Sequence, residues 1–152
     1  MRRIIISDTS CLIILTNIGE LDLLQKVYGK IVTTTDIASE FGEKLPDWVE
    51  VVSVIDKLRQ QLLEMQIDKG ESSAITLALE TSENTLIIDD YKARKVAEQL
   101  GLNFTGTIGV IIKAKHLGII DSIKPYIEKI RETNFRISTE LEIKALQEAN
   151  EH

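Results

Sequence analysis

Apolar and polar positions along the chain fall into short blocks that change period, and the changes mark the predicted elements. Ile4 to Ser7 is β-branched and apolar on both faces, the pattern of a central strand in a parallel sheet. Ser10 is placed to cap a helix starting near Cys11, which Gly19 interrupts before an amphipathic turn set by Leu21, Leu24 and Val27. Ile31 to Thr33 predicts a second strand. Thr34-Thr35-Asp36 then supplies cap chemistry for a short helix running through Glu40 and ending near Gly42. Val49 to Ile55 is rich in β-branched residues and suggests another strand, followed by a polar helix from Asp56 to about Met65.

The second half repeats the alternation. Gly70 precedes a helix in which Ala74, Ile75, Ala78 and Leu79 share a face and Glu71 sits in the first turn. After the turn Ser82-Glu83-Asn84, Thr85 to Ile88 predicts a strand. Asp89 and Asp90 follow it, then a helix with Ala93, Val96, Ala97 and Leu100 inward and Gly101 as its stop. Asn103 to Thr105 predicts a short last strand, and the corner Gly106-Thr107-Ile108-Gly109 leads into an apolar helix to about Lys115. The tail is helical from Asp121 to Glu132 and again from Thr139, where Thr139 to Glu142 has the spacing of a capping box. Alternating strands and helices predict a three-layer α/β/α fold with a mainly parallel sheet: one domain over residues 1–152, with 138–152 as a C-terminal helix.

Composition narrows the class. The 152 residues are 43% hydrophobic and 28% charged, with two prolines and eight glycines, which suits a packed globular chain. The lone Cys11 excludes an internal disulfide or a cysteine-based zinc site, and points to a reducing cytoplasm. Met1-Arg2-Arg3 and the apolar residues after it look superficially like a secretory signal, but Asp8 interrupts the run and no small-residue cleavage site follows. No apolar stretch reaches the length of a membrane span. A net charge of −6 argues against broad, unspecific coating of nucleic acid, though not against an acidic centre that reaches phosphates through metal ions.

The acids are where the chemistry lies. Asp8 stands inside an apolar run and must be desolvated, which is costly for a carboxylate without a partner. In an open parallel sheet the carboxyl ends of the strands share one edge, so Asp8 and the Asp89-Asp90 pair are expected to meet there. Two unit charges about 4 Å apart repel by about 4 kcal/mol at an effective dielectric of about 20, so a proton or a cation has to enter. Hard oxygen ligands without nearby Cys or clustered His favour Mg²⁺ or Mn²⁺. Each acid also has a plainer role: Asp8, Asp89 or Asp90 as a helix cap, Glu71 as an anion in a helix's first turn, Glu40 as a solvated residue. The basic residues Lys92, Arg94 and Lys95, with Lys113 and Lys115 later, fit either a solvated helix face or a grip on a nucleic-acid backbone. His116 near a helix end and the terminal His152 suggest surface roles.

The ordered set SDTSCLIIL, Asp36 to Glu40, GESSAITLALE, LIIDDYKARKVAEQLGL and FTGTIGVIIKAKHLG resembles the PIN-domain family, and within it a branch of VapC-like toxin nucleases, from about Arg3 to Ser138. The resemblance implies a metal-dependent ribonuclease with three or four clustered acids. Asp8 matches the first acid, Glu40 the second and Glu71 the third, where many relatives have Asp. The fourth falls on Asp90 or on Asp89, with Asp90 favoured as the ligand and Asp89 as its partner. Ser10 matches a hydroxyl position that orients Asp8 or a water, and Thr107 is placed to do similarly. The resemblance further implies an RNA substrate, a cognate antitoxin and a homodimer.

Rival enzyme classes lack their residues. A haloacid-dehalogenase-type phosphoryl transferase needs a second Asp at position 10, where this chain has Ser10. A receiver domain wants its paired acids early, whereas here they come late. The glycine-rich nucleotide loops are absent. The alternative from another class is a catalytically weak module that binds RNA or protein, which ought to have lost some of the acids.

Overall fold

The computed structural model of the protein describes residues 3–151. The elements run β1 (Ile4–Ser7), α1 (Thr9–Asn17), α2 (Asp22–Tyr28), β2 (Ile31–Thr34), α3 (Thr35–Phe41), β3 (Val49–Val52), α4 (Lys57–Leu63) and α5 (Lys69–Glu80), then β4 (Asn84–Ile87), α6 (Tyr91–Gln99), β5 (Phe104–Thr105), α7 (Thr107–His116), α8 (Lys124–Arg131) and α9 (Thr139–Glu148). Every strand pair is parallel, in the order β3-β2-β1-β4-β5, and helices flank the sheet in the expected three-layer arrangement.

The order matches burial. β1 lies at the centre with β4 beside it, and Ile6, Leu86 and Ile87 are fully buried. β3, with Glu50 and Val51 exposed, and the two-residue β5 form the edges. Helix α5 rests on β1, β2 and β4 with α3, α4 and α6 against it, while α2 packs on β2 and α7, and α9 packs on α7. Ile75 and Ala74 anchor α5 in the sheet's core; a second cluster, around Ile111, Ile123, Ile127 and Ile130, ties the C-terminal helices together. Among the described residues no helix is long and apolar enough to cross a membrane.

Several boundaries differ from expectation for local reasons. The strand predicted over Val49 to Ile55 stops at Val52, because the Glu80 carboxylate takes the backbone N–H groups of Ile55 and Asp56 and turns the chain toward α4. The helix predicted from Asp121 begins at Lys124, with Pro125 in its first turn. Ser138, one residue before the predicted capping box, caps α9 by accepting the Leu141 N–H at 3.0 Å. The cap of α1 is Asp8 and not Ser10, which lies inside the first turn. His152 and residues 1–2 lie outside the described residues.

Candidate active site

Register brings the acids together. Ser7 pairs with Ile87, and the Asp8 N–H donates to Ile87 O at 3.0 Å, so β1 and β4 end level with each other. Asp8 leaves the sheet at the start of α1 and is 1% exposed. One carboxylate oxygen, Oδ1, accepts the Cys11 N–H at 2.9 Å and caps the helix. The other, Oδ2, accepts the backbone N–H of Asp89 at 3.2 Å. The helix cap anticipated as Asp8's plainer role is therefore real, but it occupies one oxygen and leaves the other aimed at the second strand end.

Asp89 and Asp90 divide their work. Asp90 Oδ2 accepts the Ala93 N–H at 3.0 Å and caps α6 on the exposed rim. Asp89 turns inward: Thr107 donates its N–H to Oδ1 at 2.8 Å and its hydroxyl to Oδ2 at 2.6 Å. Thr107 is fully buried at the start of α7, so the FTGT corner fixes the Asp89 carboxylate from behind. Gly106 makes room for it, since a Cβ there would lie 2.7 Å from Asp89 Oδ1. Its φ of −124° is open to any residue, so the demand for glycine is one of space.

Glu40 and Glu71 approach from the opposite side. Glu40, exposed near the end of α3, accepts a hydrogen bond from the Thr9 hydroxyl at 3.1 Å. Its carboxylate lies over Gly70, where a Cβ would collide with Oε1. Glu71 follows in the first turn of α5 beside Asp68 and Asp90. Thr9, Asp68, Gly70 and Gly106 are site residues the sequence did not single out. Gly106 carried the one usable signal, a small residue immediately after a predicted strand on the ligand-binding edge.

Electrostatics mark the edge as short of positive charge. Burial first, and then the charge on Asp89, holds the Asp8 carboxyl well above its usual range, against hydrogen bonds from Cys11 and Asp89; Glu71 adds repulsion. Burial also raises Asp89, opposed by the Thr107 hydrogen bonds and by the charge on Arg94. Glu71 is pushed up to about 7 by partial burial, then by Asp90 and Asp68, with a smaller push from Glu40. Burial, followed by the charges of Asp89 and Asp8, raises the Cys11 thiol, which packs as an inert core group.

The cations for which the sequence left open a solvated face or a grip on nucleic acid fall into separate places. Lys92 borders the acidic groove with Glu71, Asp90 and Tyr91. Lys95 lies over the Tyr91 ring at 5.7 Å, and Arg94 stacks on Phe104 at 5.0 Å. Lys115, considered beside the centre, instead pairs with Glu151 at 2.9 Å, and Lys113 covers Tyr28. His116 Nε2 lies 2.9 Å from Glu148 O, a surface tie to α9.

Among the described residues no three acidic, His or Cys side chains converge into a ready-made metal cage. The donor set nevertheless fits a hard divalent cation. Asp8 and Asp89 are two adjoining carboxylates, and among the described residues no lysine or arginine nitrogen lies within 4.0 Å of either. Mg²⁺ commonly binds through one or two carboxylates while keeping waters and taking substrate phosphates.

No curated protein and no solved structure matches the chain. A family model described as a PIN domain matches residues 4–151, from the first residue of β1 to beyond α9. PIN domains are typically nucleases, and the rim of acids at the carboxyl edge of a parallel sheet suits that chemistry. On this match, which spans nearly every described residue, the chain belongs to the PIN-domain family.

Proposed function

We propose that the chain is a divalent-metal-dependent endoribonuclease, using Mg²⁺ or Mn²⁺, and the toxin of a toxin–antitoxin pair. The observation that carries this reading is the Asp8–Asp89 junction. Two carboxylates from strand ends 81 residues apart in sequence, Asp8 buried and Asp89 half-buried, are linked through the Asp89 N–H, with no lysine or arginine nitrogen within 4.0 Å of either among the described residues.

Asp8 and Asp89 would hold the cation, with Asp90 and Glu71 reaching it directly or through water. When bound, the cation supplies charge neutralisation and lowers the pKa of a water at the phosphodiester. Thr107 keeps both oxygens of Asp89 in position, and the α1 backbone does the same for Asp8. Glu71, near neutrality at about 7, is suited to take the proton of an attacking water on its carboxylate oxygen. Thr9 steadies Glu40 at the far side, and Ser10 lies in the same turn of α1 as Thr9. Lys92, Arg94 and Lys95 then meet the RNA backbone beside the acids, a local contact that an acidic chain can still make.

The toxin assignment draws on the likeness of the DTS, GES, LIIDD and GTIG segments to VapC-like nucleases. A cognate antitoxin, a homodimer and a cytoplasmic setting come with that likeness. An apolar stripe along α4, in which Leu58 is 67% and Leu62 58% exposed, gives a protein partner a surface leading to Met65 and the acidic groove.

The test is cleavage of single-stranded and structured RNAs with Mn²⁺, with Mg²⁺ and with chelator, using wild type and a folded Asp8→Asn. Cleavage that needs the metal and disappears in Asp8→Asn supports the assignment. Cleavage that survives both chelation and the substitution contradicts it, and RNA binding without cleavage turns it toward a binding module.

A further inference from the structure

Beside Asp89 a second cleft opens between α6, the β5–α7 corner and α9, with a cavity of about 290 Å³, close to the lower end of small-ligand pockets. Its walls combine Arg94, Phe104, Phe135, Lys144 and Glu148 with Asp89 itself. Phe135 and Lys144 come from the C-terminal segment, far in sequence from every acid of the site.

Arg94 is an unusual wall. Its guanidinium stacks on the Phe104 ring at 5.0 Å, and its Nε is buried with no hydrogen-bond partner. Neither Arg94 nor Lys144 lies within 4.0 Å of a carboxylate among the described residues, although Glu148 lines the same cleft. A buried donor on a cationic group is costly to leave unmatched, and a planar guanidinium is well shaped for phosphate. Exposed or half-buried aromatic rings beside such a cation are the usual platform for single-stranded nucleic acid, because bases stack on rings and on guanidinium planes alike. Lys144 is exposed at the mouth, where it adds charge without adding to the core.

We infer that this cleft is a nucleotide subsite: one base of a single-stranded RNA lies against Phe135 and the Arg94 guanidinium, and its phosphate is held by Arg94 and Lys144 next to Asp89. The inference rests on the nuclease reading for its place in a reaction, but binding in the cleft can be measured without cleavage. The C-terminal helix α9 thereby becomes part of the substrate site. Strand passage over Asp89 and Asp90 would leave the groove lined by Lys92 and Tyr91 for the neighbouring nucleotide.

The experiment is an amide NMR titration of the full chain, in chelator, with each nucleoside 5′-monophosphate and with inorganic phosphate, on wild type, Arg94→Gln, Phe135→Ala and Lys144→Gln. The expected result is shifts at Phe104, Thr105, Phe135 and Ala145 for at least one nucleotide. Affinity should fall about tenfold in Phe135→Ala and in Arg94→Gln, less in Lys144→Gln, and be weaker for inorganic phosphate. If Phe135→Ala fails to fold, the exposed Lys144→Gln and the phosphate comparison carry the decision. Absent shifts, shifts confined elsewhere, or equal binding of phosphate and all nucleotides would overturn the subsite. Failure of the nuclease reading is distinguishable: it appears as nucleotide binding in the cleft with no metal-dependent cleavage of RNA. Cleavage with unchanged KM in all three variants overturns the subsite and leaves the nuclease standing.

Discussion

Two carboxylate sites in this chain receive opposite treatment. Glu151, just beyond α9, is 9% exposed at its side chain, and partial burial works against its charge. Yet Lys115 pairs with it at 2.9 Å, Ser122 donates its hydroxyl and Ile123 its N–H, and together these bring it down to about 2. At the strand ends Asp8 and Asp89 also receive hydrogen bonds, but burial holds both carboxyls up, joined at Asp8 by the charges of Asp89 and Glu71 and opposed at Asp89 by the charge of Arg94. The fold can satisfy a buried acid completely when the acid's job is to fasten a helix. Asp8 and Asp89 have no lysine or arginine nitrogen within 4.0 Å among the described residues, which is why a cation is proposed to complete that site.

The largest effect that would sharpen this contrast is on catalysis. Asp8→Asn and Asp89→Asn are expected to bring metal-dependent RNA cleavage to background while both proteins still unfold cooperatively in urea. Residual activity near wild type in either would remove that acid from the centre. Next come the residues behind Asp89. Gly106→Ala puts a methyl group against Oδ1, and Thr107→Val removes one of its two donors. Each should weaken Mn²⁺ binding by about 10–100-fold, as losses around metal ligands commonly do; a calorimetric titration that matches wild type would show that Asp89 needs no such support.

The pH dependence separates the two sites by sign. Glu71, raised from an ordinary 4.5 to about 7, binds more protons in the folded than in the unfolded chain between those values, so metal-free stability falls as pH rises through them. Asp8 and Asp89 push the same way. Glu151, lowered from 4.5 to about 2, contributes stability that is complete above the upper value and lost as pH falls toward the lower. From these groups the urea midpoint of the chelated protein should therefore peak at or below about pH 4 and decline on both sides. Mn²⁺ should flatten the decline toward alkaline pH and leave the acid limb unchanged; an alkaline limb indifferent to Mn²⁺ would break the link between repulsion and metal. Smallest is Glu151→Ala, expected to lower stability by about 2 kcal/mol through its unmatched donors, read from urea unfolding at pH 7. A value near zero would make the hook around Lys115 ornamental.

The layer arrangement and the parallel sheet were legible because apolar runs and helical spacing are local signals, as at Ile4 to Ser7 and Thr85 to Ile88; the strand order was not, because it depends on contacts between distant segments. The meeting of Asp8 with the LIIDD segment was legible for a topological reason, since parallel strands end on one edge. What was hidden was side-chain direction. The sequence favoured Asp90 as the ligand with Asp89 as its partner; in the structure Asp90 caps α6, while the Asp89 carboxylate is held by Thr107 and the Asp89 N–H meets Asp8. Ser10 looked like the cap of α1, but the chain leaves β1 in the extended conformation of a cap residue already at Asp8. The contribution of Phe135 and Lys144 to the cleft is a matter of long-range packing of α9 on α7, which no local spacing records.

The most direct measurement is a calorimetric titration of Mn²⁺ into wild type, Asp8→Asn, Asp89→Asn and Asp90→Asn, each first shown to be folded. The account predicts binding in wild type, its loss in Asp8→Asn and Asp89→Asn, and only partial weakening in Asp90→Asn, whose carboxylate is engaged as a helix cap. Wild-type affinity retained in Asp8→Asn or Asp89→Asn would contradict a metal centre at the junction of β1 and β4.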